Sequence, residues 1–322
     1  MVALVGVVGL VVAGLIWTVG SLAFGTQPVP RVALGAADAT IAQQGGQATP
    51  SGAQPDGASA HGAVADAGAA ATPPALAAHV WDPAPPGLIN DPELALRLDE
   101  ALVGVDGRVG VAVKDLGSGR GAALDGDLEL TSASLYKLPV LYTVFDLGVS
   151  MNEQLPITDE ALSYDSGTME LGAGEMLTVA EAVERMVTLS DNTSAILLGS
   201  LVGANRVNAS ITTLGMDTTH YNLERMTTSA LDMLHFLDQV ATGRAVSPAA
   251  SADMLHILLR QRVNERLPRL LPQQVLVAHK TGNLPGTVND VGILYGPTTT
   301  IAVAALVSGT TDETTAATAI AR

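Results

Sequence analysis

The sequence predicts an α/β (α+β) fold: an antiparallel five-stranded sheet drawn from both ends of the folded part, flanking helices, and an all-helical lobe between them. Two observations predict it. Strand-like alternation occurs early, over Arg108–Leu124, and again late, from Val275 to Val307, while the stretch between reads as successive amphipathic helices. The charges are also unevenly placed: residues 91–322 hold 28 of the 32 acidic and 15 of the 16 basic residues, so a charged, foldable body follows a nearly uncharged leader. Pro92–Val103 is predicted helical, with Leu94, Leu96, Leu98 and Leu102 available for burial. Arg108–Leu116 alternates, with Val109, Val111 and Val113 on one side, and Gly117-Ser118-Gly119 turns the chain into a second strand near Gly121–Leu124. That turn is no phosphate loop, because no helix follows it. Leu135–Leu147, Val179–Thr188, Asn192–Leu201, Ser229–Ala241 and Ala249–Leu259 carry helical periodicity, and the helical lobe falls at about residues 131–249. Val275–Lys280, Val288–Tyr295 and Thr299–Val307 read as strands, and Asp312–Ala321 as a closing helix. Pairing the early and late strands gives one sheet with the terminal helices on it and the lobe beside it. A groove between two lobes is a common place for a substrate.

Composition excludes several chemistries. The 322-residue chain has no cysteine, which removes disulfides, thiol nucleophiles, cysteine-ligated zinc and iron–sulfur clusters. Lys+Arg number 16 against 32 Asp+Glu, a formal net charge of −16, which argues against nucleic acid as a partner. His220 and Glu224 stand four apart without a metalloprotease motif, and His235 and His256 are isolated, so neither metal nor cofactor is expected.

The leader divides in two. Val2–Phe24 is uncharged and 23 residues long, enough to cross a hydrocarbon core of about 30 Å. Residues 1–24 read as an uncleaved transmembrane anchor; the competing reading is a secretory signal cut near Ser21-Leu22-Ala23. Residues 25–90 are dominated by Ala, Gly, Pro and Gln without apolar periodicity, and read as a disordered linker. Together they place the folded domain, residues 91–322, outside the cytoplasm on a membrane tether, or secreted if the leader is cut.

Two of the three lysines stand in suggestive company. Ser134-Leu135-Tyr136-Lys137 puts a hydroxyl and an amine on one helical face, about one turn apart. A desolvated lysine can take the serine proton, and a helix N-terminus offers N–H donors to a reacting carbonyl. By itself this spacing is usually a solvated helix start. Ser190-Asp191-Asn192 lies between two helices and by itself reads as a cap. Lys280-Thr281-Gly282 ends an apolar strand, where a lysine and a hydroxyl can hold a carboxylate and glycine permits close approach; the ordinary reading is a strand end.

Taken in order, Ser134-x-x-Lys137, then Ser190-Asp191-Asn192, then Lys280-Thr281-Gly282, the set resembles the penicillin-recognising serine hydrolases, most of all class A β-lactamases and their penicillin-binding relatives. Thr227-Thr228-Ser229-Ala230 and Asn289-Asp290-Val291-Gly292 agree, and the likeness runs from about Asp91 to Ala319. The resemblance implies a β-lactamase/transpeptidase-like fold in which Ser134 is acylated, Lys137 is its base and Ser190 relays a proton to the leaving nitrogen. It further implies that Asn192 holds the substrate amide, that Lys280 and Thr281 hold its carboxylate, and that the N–H groups of Ser134 and Asn283 form the oxyanion hole. Arg266 reads either as a second carboxylate partner or as a plain surface arginine, and crowding by Lys280 is expected to help keep Lys137 neutral.

One element departs from class A β-lactamases, which carry a Glu-x-x-Leu-Asn loop whose glutamate activates the deacylating water. Here the glutamates between Asn192 and Lys280 are Glu224 and Glu265, neither is followed by x-x-Leu-Asn, and the stretch Gly215–Thr227 is short. The expectation is a slow-deacylating peptidase forming an acyl-enzyme with D-Ala-D-Ala-type peptides or β-lactams. A true β-lactamase and a non-turnover tethered sensor or wall-binding module are the alternatives. Either way the ligand is a small molecule or peptidoglycan stem peptide bearing a carboxylate.

Overall fold

The computed structural model describes residues 87–222 and 225–322. The expected anchor, the linker up to residue 86 and Glu224 lie outside these residues. Among the described residues no helix is long and apolar enough to cross a membrane.

In chain order the elements begin with β1 (Ile89–Asn90), α1 (Pro92–Ala101), β2 (Arg108–Asp115), β3 (Arg120–Leu124) and β4 (Leu130–Thr131). A 3₁₀ turn, Ala133–Tyr136, then leads into α2 (Lys137–Asp146), β5 (Gln154–Pro156), α3 (Asp159–Leu162) and β6 (Met176–Thr178). The helical series continues with α4 (Val179–Thr188), α5 (Asn192–Val202) and α6 (Ala204–Thr213). After the hairpin β7 (His220–Asn222) and β8 (Arg225–Thr228) come α7 (Ala230–Ala241) and α8 (Pro248–Leu258). The chain closes with β9 (Leu276–Leu284), β10 (Thr287–Tyr295), β11 (Thr300–Ser308) and α9 (Glu313–Ala321).

Strand order in the main sheet is β1-β3-β2-β11-β10-β9, so the early strands pair with the last one, as the clustering at both ends predicts. The five expected strands are antiparallel to their neighbours. The sheet has a sixth, however: Ile89–Asn90 pairs parallel to β3, with Ile89 N–H donating to Gly119 O at 2.7 Å and Asp91 N–H to Gly121 O at 2.8 Å. Two residues are too few to show alternation, and they fall in the stretch read as linker. The middle lobe is not purely helical either. It holds the small sheets β4-β8-β7 and β5-β6 and a helix, α6, that periodicity did not reveal. The sequence of α6, ANRVNASITT, is rich in poor helix formers and buries only Val207, Ser210 and Ile211.

Helix boundaries follow local chemistry. Asp91 caps α1 by accepting from Leu94 N at 3.2 Å, with Pro92 at the first helical position. Thr178 and Glu181 form a reciprocal capping box at α4, and Ser229 caps α7. Val111, Val113, Leu124 and Ala305 turn to one sheet face and pack with Leu98 of α1, Leu102 just past its end and Ile320 of α9. Ala112, Ala304, Leu306, Val291 and Ile293 turn to the other, into the large core shared with α2, α4, α5 and α7. Strand β9 is left at the sheet edge beside the lobe, which puts Lys280 on the boundary between them.

Candidate active site

The nucleophile turn is tightly held. Ser132 N–H donates to Met226 O at 3.0 Å, and the buried Asn289 side chain of β10 donates to Thr131 O at 2.9 Å and Ser132 O at 3.2 Å. Asn289 also accepts from Val307 N at 3.1 Å, so its amide is spent on backbone. The next residue, Ala133, has φ of 46°, in the left-handed region that costs a side-chain-bearing residue energy. That kink starts the 3₁₀ turn carrying Ser134, and α2 begins only at Lys137. The expected single helix is therefore a 3₁₀ turn followed by an α-helix, with the three-residue spacing intact.

The Lys137 side chain is fully buried, 0% exposed. Its Nζ lies 2.6 Å from Ser190 O, 2.7 Å from Asn192 Oδ1, and 3.2 Å from both Ser134 Oγ and Ser190 Oγ. A neutral amine has two hydrogens and one lone pair. The two short contacts take the hydrogens, which leaves the lone pair to the hydroxyls. Burial pushes Lys137 down from 10.5 to about 7, against the opposing pull of Asp191. Desolvation, rather than the expected crowding by Lys280, sets this shift.

Ser190 joins the two lysines. Its backbone is also left-handed, with φ of 59°, and its Oγ accepts from Lys280 Nζ at 3.0 Å. Asp191 braces the loop: it caps α5 through Ser194 N at 2.6 Å and accepts from Thr168 Oγ1, and Arg185 in turn donates to Thr168 O. The cap is thus Asp191, and Ser190 is free to face the two lysines.

Lys280 is equally buried and also donates to Thr281 O at 2.7 Å. Burial lowers its affinity for a proton, the Lys137 charge lowers it further, Asp290 opposes and Arg266 reinforces the lowering. Gly282 serves the protein's own packing. A Cβ there would sit 2.8 Å from Ser132 O and 3.3 Å from Ala133 Cβ, so glycine is what lets β9 lie against the nucleophile turn.

Arg266 lies beside this strand edge. It is 3% exposed, with Nη1 donating to Asn289 O at 2.8 Å and Nη2 to the Asn283 side-chain oxygen. Two of the five guanidinium N–H groups thus bond to protein and tie Asn283 to the core. Ser134, Lys137, Ser190, Asn192 and Lys280 thus form one hydrogen-bonded chain, with Thr281, Gly282 and Asn283 following along the strand edge. Sequence reasoning missed the left-handed Ala133 and the bracing by Thr168, which leave no motif. The anchoring role of Asn289 was signalled only by its place in Asn289-Asp290-Val291-Gly292.

This arrangement supplies a buried amine beside a hydroxyl, a second hydroxyl bridging two lysines, and a strand edge with a lysine and a threonine. That is equipment for acyl transfer through a serine. The family model for the β-lactamase enzyme family matches residues 93–322. A β-lactamase from Streptomyces fradiae is 29% identical over 215 residues, covering 60% of this chain and 70% of that one. The crystal structure of a β-lactamase from Sphaerobacter thermophilus superposes with a TM-score of 0.66 at 27% identity, covering 71% of this chain and 92% of the other. A mutant of PBP-A, solved as its acyl-enzyme complex with penicillin G, shares the fold with a TM-score of 0.67 at 24% identity, covering 74% and 95%. The chain accordingly belongs to the β-lactamase enzyme family and is a penicillin-recognising serine hydrolase acting on amide bonds.

Proposed function

We propose that this protein is a slow-deacylating peptidase of the D-Ala-D-Ala type that β-lactams acylate at Ser134. The observation that carries the reading is the partner set of Lys137. Its Nζ bonds Ser134, Ser190 and Asn192, and among the described residues none of its hydrogen bonds goes to a carboxylate. Lys137 in its neutral form takes the Ser134 proton as Oγ attacks the substrate carbonyl, with the N–H groups of Ser134 and Asn283 stabilising the oxyanion. Collapse of the tetrahedral adduct breaks the C–N bond. Ser190 passes its proton to the leaving nitrogen and is reprotonated from Lys137. Lys280 and Thr281 hold the substrate carboxylate, and Asn192 its amide. Hydrolysis of the resulting ester needs a water stripped of a proton. The sequence has no Glu-x-x-Leu-Asn loop to supply that base, which is typically worth about 10²–10⁴-fold. The penicillin G acyl-enzyme of the PBP-A mutant supports trapping on this fold.

A second reading, rapid β-lactam hydrolysis, is favoured by the name of the Streptomyces fradiae relative. Following the intact mass of the protein with penicillin over time decides between them. A penicilloyl adduct that persists for many minutes is the expected result. Rapid turnover of a chromogenic cephalosporin with no adduct selects the second reading.

A further inference from the structure

Between α8 and β9 the segment Gln261–Leu267 runs as a strap that touches both sides of the Ser190–Lys280 contact, which serve here as its two walls. At its start, Gln261 Nε2 donates to Val187 O at 2.8 Å and Arg262 N to Thr188 O at 3.0 Å. These are carbonyls at the end of α4, two and three residues before Ser190. At its other end, Leu267 N donates to Asp290 Oδ2 at 3.1 Å, and Arg266 reaches Asn289 O and Asn283. Between these anchors sits His279, the neighbour of Lys280 on β9 and 1% exposed. Its Nδ1 lies 2.9 Å from Asp290 Oδ1, and its Nε2 lies 3.0 Å from Asn264 Oδ1 of the strap. Asn264 Nδ2 donates to Gln261 O at 3.4 Å, which orients the amide with its oxygen toward the imidazole. Both ring nitrogens therefore face oxygen acceptors, and the ring donates on both sides when both carry hydrogen.

We propose that Asn264 and His279 are positioning residues that lock the strap to the lysine-bearing strand and so hold the Ser190 wall and the Lys280 wall at their working separation. This rests on the catalytic reading of Ser134 given above. The Lys280–Ser190 contact of 3.0 Å crosses between two bodies that share no secondary structure. The strap ties them together, since it is bonded to the carbonyls leading into Ser190 and, through His279, to the strand that carries Lys280. Loosening its midpoint lets the two walls slide. A misplacement of order 1 Å at reacting groups costs up to ~10²-fold in rate. The loss belongs to the acylation step, because the proton relay through Ser190 requires the exact spacing and a carboxylate bound by Lys280 tolerates small movement.

Asn264 is on the surface, so its variants leave the core intact. The test is penicillin acylation of the full chain, with the saturating rate and the half-saturating concentration measured separately. Asn264→Ala is expected to slow the saturating rate about tenfold while the half-saturating concentration stays within about twofold. Asn264→Asp, which keeps an acceptor toward His279, restores the rate to within about threefold of wild type. His279→Asn retains a donor toward Asp290 but not the reach to Asn264. It falls to the level of Asn264→Ala, and the double variant falls no further. An unchanged saturating rate in Asn264→Ala, no rescue by Asn264→Asp, or fully additive losses in the double variant overturns the proposal. The Asn264 pair decides alone if His279→Asn does not fold. A wild-type protein that penicillin never acylates overturns the catalytic reading and this inference with it.

Discussion

Replacing Lys137 by methionine removes a buried amine of nearly the same length and separates its two consequences, for rate and for stability. Burial lowers this lysine from 10.5 to about 7. At pH 7 about half of it is then neutral, against roughly one in three thousand for an ordinary lysine. The neutral amine is the base, so wild-type acylation by penicillin should rise about tenfold per pH unit below pH 7 and level off above it. Lys280 is lowered too, so the half-saturating concentration should climb at alkaline pH as it loses charge. In the unfolded chain Lys137 keeps its proton up to pH 10.5, while in the folded chain it releases it near 7. The unfolded state therefore binds more protons across that window, and stability rises with pH there. At about 1.36 kcal/mol per pH unit the full change is about 5 kcal/mol, absent in Lys137→Met. Urea unfolding of both proteins from pH 6 to pH 10 should show wild type gaining on the variant throughout the window. Hydrogen bonds lost by the variant add an offset that does not vary with pH. Acylation that is flat between pH 5 and pH 8, or a stability difference independent of pH, refutes desolvation of Lys137 as the source of its neutral, proton-accepting form.

Two further substitutions probe the packing behind the site. Gly282→Ala places a Cβ 2.8 Å from Ser132 O and forces β9 away from the nucleophile turn. Acylation should drop by about 10²-fold, seen as lost labelling by a fluorescent penicillin in a protein whose circular dichroism is unchanged. Asn289→Ala strands the Thr131 and Ser132 carbonyls and the Val307 N–H in a buried place. A loss of about 3 kcal/mol in urea unfolding is expected, and a loss below about 1 kcal/mol contradicts the anchoring role.

Much of the architecture was legible along the chain. The long helices and the strands on either side of the lobe declare themselves because burial of one face imposes a period on ten or so residues. Val179–Thr188 is found where its pattern puts it. Strand β1, the small lobe sheets and α6 were not legible. Two- to four-residue strands owe their conformation to a partner distant in sequence, and α6 folds in spite of its composition, held by Val207 and Ile211 in the core. In the site, the three motifs were readable through their residue types. What Arg266 touches was not: a long cationic side chain looks the same in sequence whether it meets a substrate or the amide oxygen of Asn283.

The order of residues alone determined which groups could react, because a hydroxyl three positions before an amine, a hydroxyl–carboxylate–amide triplet and a strand-end lysine are local arrangements. Only tertiary structure decided that these act together. Lys137 meets Ser190 across 53 positions and Ser190 meets Lys280 across 90. That closure, and the burial that strips Lys137 of its solvent, depend on surfaces brought together from the whole domain. No local pattern encodes how much water a side chain will lose.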